Sequence, residues 1–137
     1  MTKILPLALL VLMVSGCARD GSGINAQQLA KHSYTLQSVD GVVVSSEMGK
    51  QPEIAISSDL AVSGVMCNRF FGQGELHGNV LTVKQMGSTR MMCGDSQLNR
   101  WDGVIGDVLN QGATVKLEQG NLTLTGAGHT LKYQAAQ

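Results

Sequence analysis

The chain has 137 residues, a formal net charge of zero and 15% charged side chains. It reads as one domain on length and lacks the concentrated Lys/Arg of a nucleic-acid binder. Aromatic residues are only 4%, which argues against a platform of stacked rings, and seventeen Gly against two Pro suit many short strands and turns.

Three cysteines are an odd count that an exported protein has to account for, and the N-terminus does so. Lys3 supplies a positive charge, Ile4 to Met13 is an apolar run broken by Pro6, and Val14-Ser15-Gly16-Cys17 ends it in small residues. Residues 1–16 are therefore expected to be a signal peptide, too short to span a membrane as a helix. The residues before Cys17 resemble a bacterial lipobox, which implies that Cys17 is acylated and becomes the mature N-terminus. The alternative is an ordinary signal peptide with a cysteine near its cleavage site. Two or more acyl chains anchor stably where one is marginal. Ala18 follows the cysteine, where an Asp would tend to retain a bacterial lipoprotein at the inner membrane. The expected location is thus the outer membrane, lipid-anchored and facing the periplasm. Residues 17–25 form the lipidated terminus and a polar, Gly/Ser-containing tether. Residues 26–137 form the folded domain.

Within that domain, Ala26 to His32 has helix formers for a short turn of helix. Tyr34 to Val39 alternates as a strand, with Tyr34 and Leu36 on one face and Val39 on the other. Asp40-Gly41 tolerates the positive φ of a tight hairpin, and Val42 to Val44 returns. Ser45 to Pro52 reads as a loop, Glu53 to Ser57 and Leu60 to Val65 as strands. Gly72, Gly74 and Gly78 punctuate the next stretch, Val80 to Lys84 is a strand, and Gln85 to Arg90 is irregular. Asp95 or Ser96 can cap a helix whose apolar stripe is Leu98, Trp101, Ile105 and Val108, widened by Val104 and Leu109. Gln111-Gly112 ends it. Gly103 and Gly106 inside it each cost ~1 kcal/mol relative to Ala, so the stripe must be buried or the backbone closely packed. Val115 to Glu118, Leu122 to Thr125 and Thr130 to Tyr133 complete a C-terminal meander. The fold class is α+β: a mainly antiparallel curled sheet or partial barrel of about eight short strands, with one main helix packed on it.

The stretch Ser63 to Cys93 carries the most specific pattern: Gly64, Cys67-Asn68-Arg69-Phe70, Gly72, then Leu81-Thr82, then Ser88-Thr89-Arg90-Met91 and Cys93. It resembles the META domain, and within it the HslJ heat-shock lipoproteins of enteric bacteria. Phe71 and Met92 stand where smaller residues are common in that family, and both read as packing changes. The resemblance implies a β-rich domain with one helix, in envelope proteins linked to heat stress and antibiotic tolerance, with no established enzymatic activity or cofactor.

Cys67 and Cys93 form the sharpest pair. In an oxidising periplasm they are expected to form a disulfide, closing a segment of about 25 residues for ~3 kcal/mol in the loop-entropy model. A reactive thiol pair or a metal site is the rival, although the spacing is far from Cys-x-x-Cys. Met66, Met86, Met91 and Met92 gather nearby, and thioethers suit Cu(I), yet methionine in apolar sequence more often fills a core. His32, His77 and His129 lack metal-ligand spacing, and no nucleophile has an evident base. Asp102 and Asp107 read as solvent-exposed helix residues.

Asn68, Arg69 and Arg90 can serve structurally, Asn68 by bonding its own backbone, or as a recognition patch for an anionic or peptide partner. The expectation is a monomeric, non-enzymatic lipoprotein with no metal, cofactor or nucleic acid. It meets the membrane through its lipid and binds an envelope component or client protein. The alternative is a periplasmic inhibitor or accessory subunit of one specific partner.

Overall fold

The computed structural model describes residues 24–45, 48 and 51–136. The signal peptide, Cys17 and nearly all of the tether lie outside the described residues. Ten strands and two helices occur among those described. Helix α1 is Ala26–Leu29, started by a capping box between Asn25 and Gln28. The strands are β1 (Ser33–Val39), β2 (Val42–Val43), β3 (Glu53–Ile56), β4 (Ala61–Val65), β5 (Arg69–His77), β6 (Val80–Val83) and β7 (Gly87–Ser88). Helix α2 (Ser96–Gln111) precedes β8 (Ala113–Glu118), β9 (Asn121–Gly126) and β10 (His129–Ala135).

Every pairing is antiparallel. Eight strands follow one another as β1-β3-β4-β5-β6-β8-β9-β10, and β10 pairs back onto β1, so the sheet closes into a barrel. The two-residue strands β2 and β7 are additions, on β1 and β5 respectively. Closure satisfies the backbone groups an open sheet would leave at its edges.

The first hairpin turns through Asp40 and Gly41, both at positive φ, as a tight hairpin of right-twisted strands requires. Inward residues of the strands form the core with the apolar stripe of α2. Val39 joins that core together with Tyr34 and Leu36, contrary to simple alternation along β1. The pairing with β10 slips between Leu36 and Ser38; this β-bulge inserts one residue and turns Val39 inward.

Strand β5 is longer than its glycine-rich sequence suggests. Its glycines make room for neighbours: a Cβ at Gly64 of β4 would collide with Glu53 O and lie 2.6 Å from Phe70 Cζ. The Phe70 ring thus packs where Gly64 offers no side chain. Phe71, on the other face of β5, is half exposed and its ring covers Gly87 of β7.

Helix α2 is capped by Asp95, whose Oδ1 accepts from Gln97 N at 2.8 Å and Leu98 N at 3.1 Å. It packs against β6, β8 and β9, burying Leu98, Trp101, Ile105, Val108 and Leu109. Gly112 ends it at φ +112° and ψ 115°, a region outside the left-handed helical well but open to glycine. Asn110 and Lys84 clamp the C-terminal end reciprocally: each donates to the other's backbone carbonyl, at 3.1 and 3.3 Å. Gly103 faces open space and Gly106 meets only Met86 Cε at ordinary distance. Burial of the stripe, rather than close backbone approach, is what accommodates these glycines.

Candidate functional site: a buried hairpin turn under two clefts

Strands β4 and β5 are joined by three residues, Met66-Cys67-Asn68, between the paired Val65 and Arg69. Hairpin turns ordinarily face water, but this one is buried, with Met66 1% and Asn68 7% exposed. Its backbone N–H groups therefore need partners inside the protein. Met66 N donates to Asn68 O at 3.0 Å. Asp102 of α2 supplies the rest: its Oδ1 accepts from Cys67 N at 2.8 Å and Asn68 N at 2.9 Å, and its Oδ2 accepts from Asn68 Nδ2 at 2.6 Å.

The Asn68 side chain spans from this carboxylate to the segment before the helix. Its Nδ2 also donates to Met91 O at 2.9 Å, while its Oδ1 accepts from Thr89 Oγ1 at 2.9 Å and Met91 N at 2.6 Å. Both amide hydrogens and both oxygen lone pairs are thus engaged. The partners belong to Asp102, Thr89 and Met91, not to the backbone of Asn68 itself. Cys67 and Cys93 lie in disulfide geometry beside it, with Cα atoms 5.9 Å apart. Asn99 holds the far side, its Oδ1 accepting from Cys93 N at 3.0 Å and its Nδ2 donating to Cys93 O at 2.9 Å. Four segments meet here: the β4–β5 turn, Thr89 to Met91, Cys93, and the first two turns of α2.

The sequence pointed to Cys67, Cys93, Asn68 and the arginines, but not to Asp102, the acceptor at the centre. A signal was present. Asp102 lies four residues after Leu98 and three before Ile105, on the flank of the apolar stripe rather than opposite it. A carboxylate there needs buried donors. Asp107, by contrast, is exposed.

Outside the junction the surface changes character. Arg69 and Arg90 are exposed, and neither guanidinium has a hydrogen-bond or ion-pair partner among the described residues. The β5–β7 edge positions both, since Arg69 N donates to Thr89 Oγ1 at 3.1 Å and Thr89 N to Arg69 O at 3.0 Å. Met91 and Met92 stand 66% and 85% exposed. They form a ridge between two clefts. One, of about 480 Å³, is lined by Met48, Met66, the Cys67–Cys93 pair, Gly94, Asp95 and Leu98 as well as the ridge. The other, of about 520 Å³, is lined by Asn68, Ser88, Thr89, Arg90, Asp102 and Gly103 with the same ridge. Met86 lines neither; it packs half-buried against the core.

The histidines lie elsewhere. His32 meets Tyr34 edge to face, His77 sits 3.5 Å from the exposed Glu75, and His129 bonds Asp40 at 2.6 Å. No group of three or more His, Cys, Asp or Glu that could hold a metal occurs among the described residues. The barrel interior keeps two tyrosines. Tyr34 donates to Leu29 O at 3.0 Å, and Tyr133 O–H has no partner among the described residues. Burial pushes both phenols up from their ordinary pKa, so they stay protonated and neutral.

Comparison with known proteins agrees with this architecture. A family model described as the META domain matches residues 27–137. Heat shock protein HslJ of Escherichia coli (strain K12) is 40% identical over 137 residues, covering 99% of this chain and 97% of that protein. One NMR structure superposes with a TM-score of 0.76 at 42% identity, covering 82% of this chain and 95% of the other. A second NMR structure, from Burkholderia xenovorans, shares the fold with a TM-score of 0.66 at 21% identity, over 93% and 99% of the two chains. By the extent of the family match and the near-complete coverage of HslJ, the chain belongs to the META domain family.

Proposed function

We propose that this domain is a non-catalytic binding module of an outer-membrane lipoprotein, anchored through Cys17, that serves the heat and envelope stress response. Its clients are exposed apolar segments of envelope proteins, and antibiotic tolerance follows from keeping the envelope intact. The observation that carries this reading is the Met91–Met92 ridge. Two large apolar side chains stand in solvent on a segment held by a fully bonded Asn68. Methionine is flexible and polarisable, which suits surfaces that accept many apolar shapes. Arg69 and Arg90 flank the ridge with exposed guanidinium groups that have no ion-pair partner among the described residues, so a segment that is apolar and acidic gains most. The similarity to a protein named for heat shock supports the physiological setting.

The test is aggregation of two unrelated heat-labile envelope proteins, followed by light scattering. Suppression of both at comparable stoichiometry, lost in M91S/M92S, is expected. No suppression would sink the reading. Saturable 1:1 capture of one protein alone would favour a specific inhibitor or accessory subunit instead. The anchor is tested separately: wild type should partition into detergent with a lipid mass increment, and Cys17→Ser should stay in the aqueous phase.

A further inference from the structure

We infer that the cleft on the disulfide side of the ridge is a thioether site for a soft monovalent cation, Cu(I) or Ag(I). Four methionines from three separate parts of the chain line this one space: Met48 from the loop after β2, Met66 from the buried hairpin turn, and Met91 and Met92 from the ridge. Thioether sulfur is a soft donor that favours Cu(I) over harder ions. The opening of about 480 Å³ is roomy enough for solvent and an ion to enter. Met66 forms a fixed floor, 1% exposed, in a turn whose amides are bonded to Asp102. Met91 is held by backbone bonds to Asn68 in both directions. The pairing of Cys67 with Cys93 fixes the two walls relative to each other. The paired sulfurs are not thiolates, so the donors are the methionines. Asp95 on the same lining offers a negative charge to a bound cation.

The donor class has a consequence that separates it from adventitious binding. Histidine and cysteine must lose a proton to bind a metal, so their affinity falls with acid. A thioether has no proton to lose. Affinity should therefore be the same at pH 5 and pH 7.5. The site does not depend on the client reading above; a chain that holds no client still binds the ion.

The experiment uses the full chain carrying Cys17→Ser, so that no unpaired thiol competes, with methionine methyls labelled with carbon-13 and titrated with silver(I) nitrate in chloride-free buffer. Silver(I) needs no reductant, so the Cys67–Cys93 pair is left undisturbed. Saturation at one equivalent is expected, with shifts at Met66 and at least two of Met48, Met91 and Met92, while Met86 stays unmoved. M91L/M92L keeps the apolar bulk of the ridge and should weaken binding at least ten-fold, whereas M86L should leave it unchanged. An unmoved Met66, the absence of saturation, or binding that disappears at pH 5 would each overturn the inference.

Discussion

Two aspartates tie distant parts of this chain together in nearly the same way, yet they differ in what surrounds them. Asp102 accepts from two backbone amides and one side-chain amide of the β4–β5 turn. Asp40, in the β1–β2 turn, accepts from Thr130 N at 2.8 Å and pairs with His129 Nδ1 at 2.6 Å, joining the first hairpin to the last. The donors to Asp102 are buried. Asp40 keeps 42% of its side chain in water and His129 33%. Water can replace the partners of Asp40 but has poor access to the amides of Cys67 and Asn68. The same bonding pattern should therefore matter far more in the first place than in the second.

The largest expected effect tests that contrast directly. Asp102→Ala strips two buried amides and the Asn68 side chain of their acceptor, and should cost about 3–5 kcal/mol in chemical denaturation. A loss below 1 kcal/mol would mean that solvent reaches the turn and the contrast fails. Next in size, Cys67→Ser with Cys93→Ser should cost ~3 kcal/mol in the loop-entropy model. Alkylation of the unreduced native protein should find neither thiol free. Because the two changes affect one junction, their combination should depart from additivity by more than 0.5 kcal/mol, the usual sign of residues sharing a network.

Gly103→Ala probes the helix that carries Asp102 without touching the junction. Open space faces Gly103, so alanine should raise stability by about 0.5–1 kcal/mol, read as a higher melting temperature. No gain would indicate a constraint from the neighbouring cleft.

The smallest effect belongs to the exposed aspartate. The hydrogen bond from His129, followed by that from Thr130 N–H, holds the Asp40 carboxyl below its usual range. A carboxylate with a depressed folded-state pKa adds stability that is fully present above its unfolded value near 4. That stability is lost as pH falls through the folded value. Asp40→Asn should therefore lower stability at pH 7 by only a few tenths of a kcal/mol, once screening at an exposed site is considered. It should also flatten part of the stability decline below pH 4. A drop above 1 kcal/mol would show the two junctions to be alike.

Much of this fold is legible in the residues because local chemistry and tertiary packing agree. The Asp95 cap, the stripe from Leu98 to Leu109, and the Asp40-Gly41 turn each announce themselves within a few positions. Strand β5 does not, because its glycines read as turn signals, whereas here they admit the atoms of neighbouring strands, as Val83 Cγ1 approaches Gly72. Inward-facing Val39 depends on a bulge that only the pairing with β10 defines. At the candidate site, Cys67, Asn68 and Cys93 stand out by type and spacing. That Met48 joins Met66 and the ridge while Met86 turns to the core depends on how distant segments meet. No short-range pattern encodes that.

The β1–β10 seam bears on how the molecule forms. Tyr34 pairs with Ala135 and Ser33 O accepts from Ala136 N, so the first barrel strand waits for β10, the last strand in chain order. Domains emerge N-terminus first during synthesis, and such long-range pairings are slow to form. Until β10 arrives, β1 and β9 each present an unpaired edge, the surface most prone to joining another chain. Deleting β10 would thus leave the α2 junction intact in sequence, yet deny the barrel its closing strand.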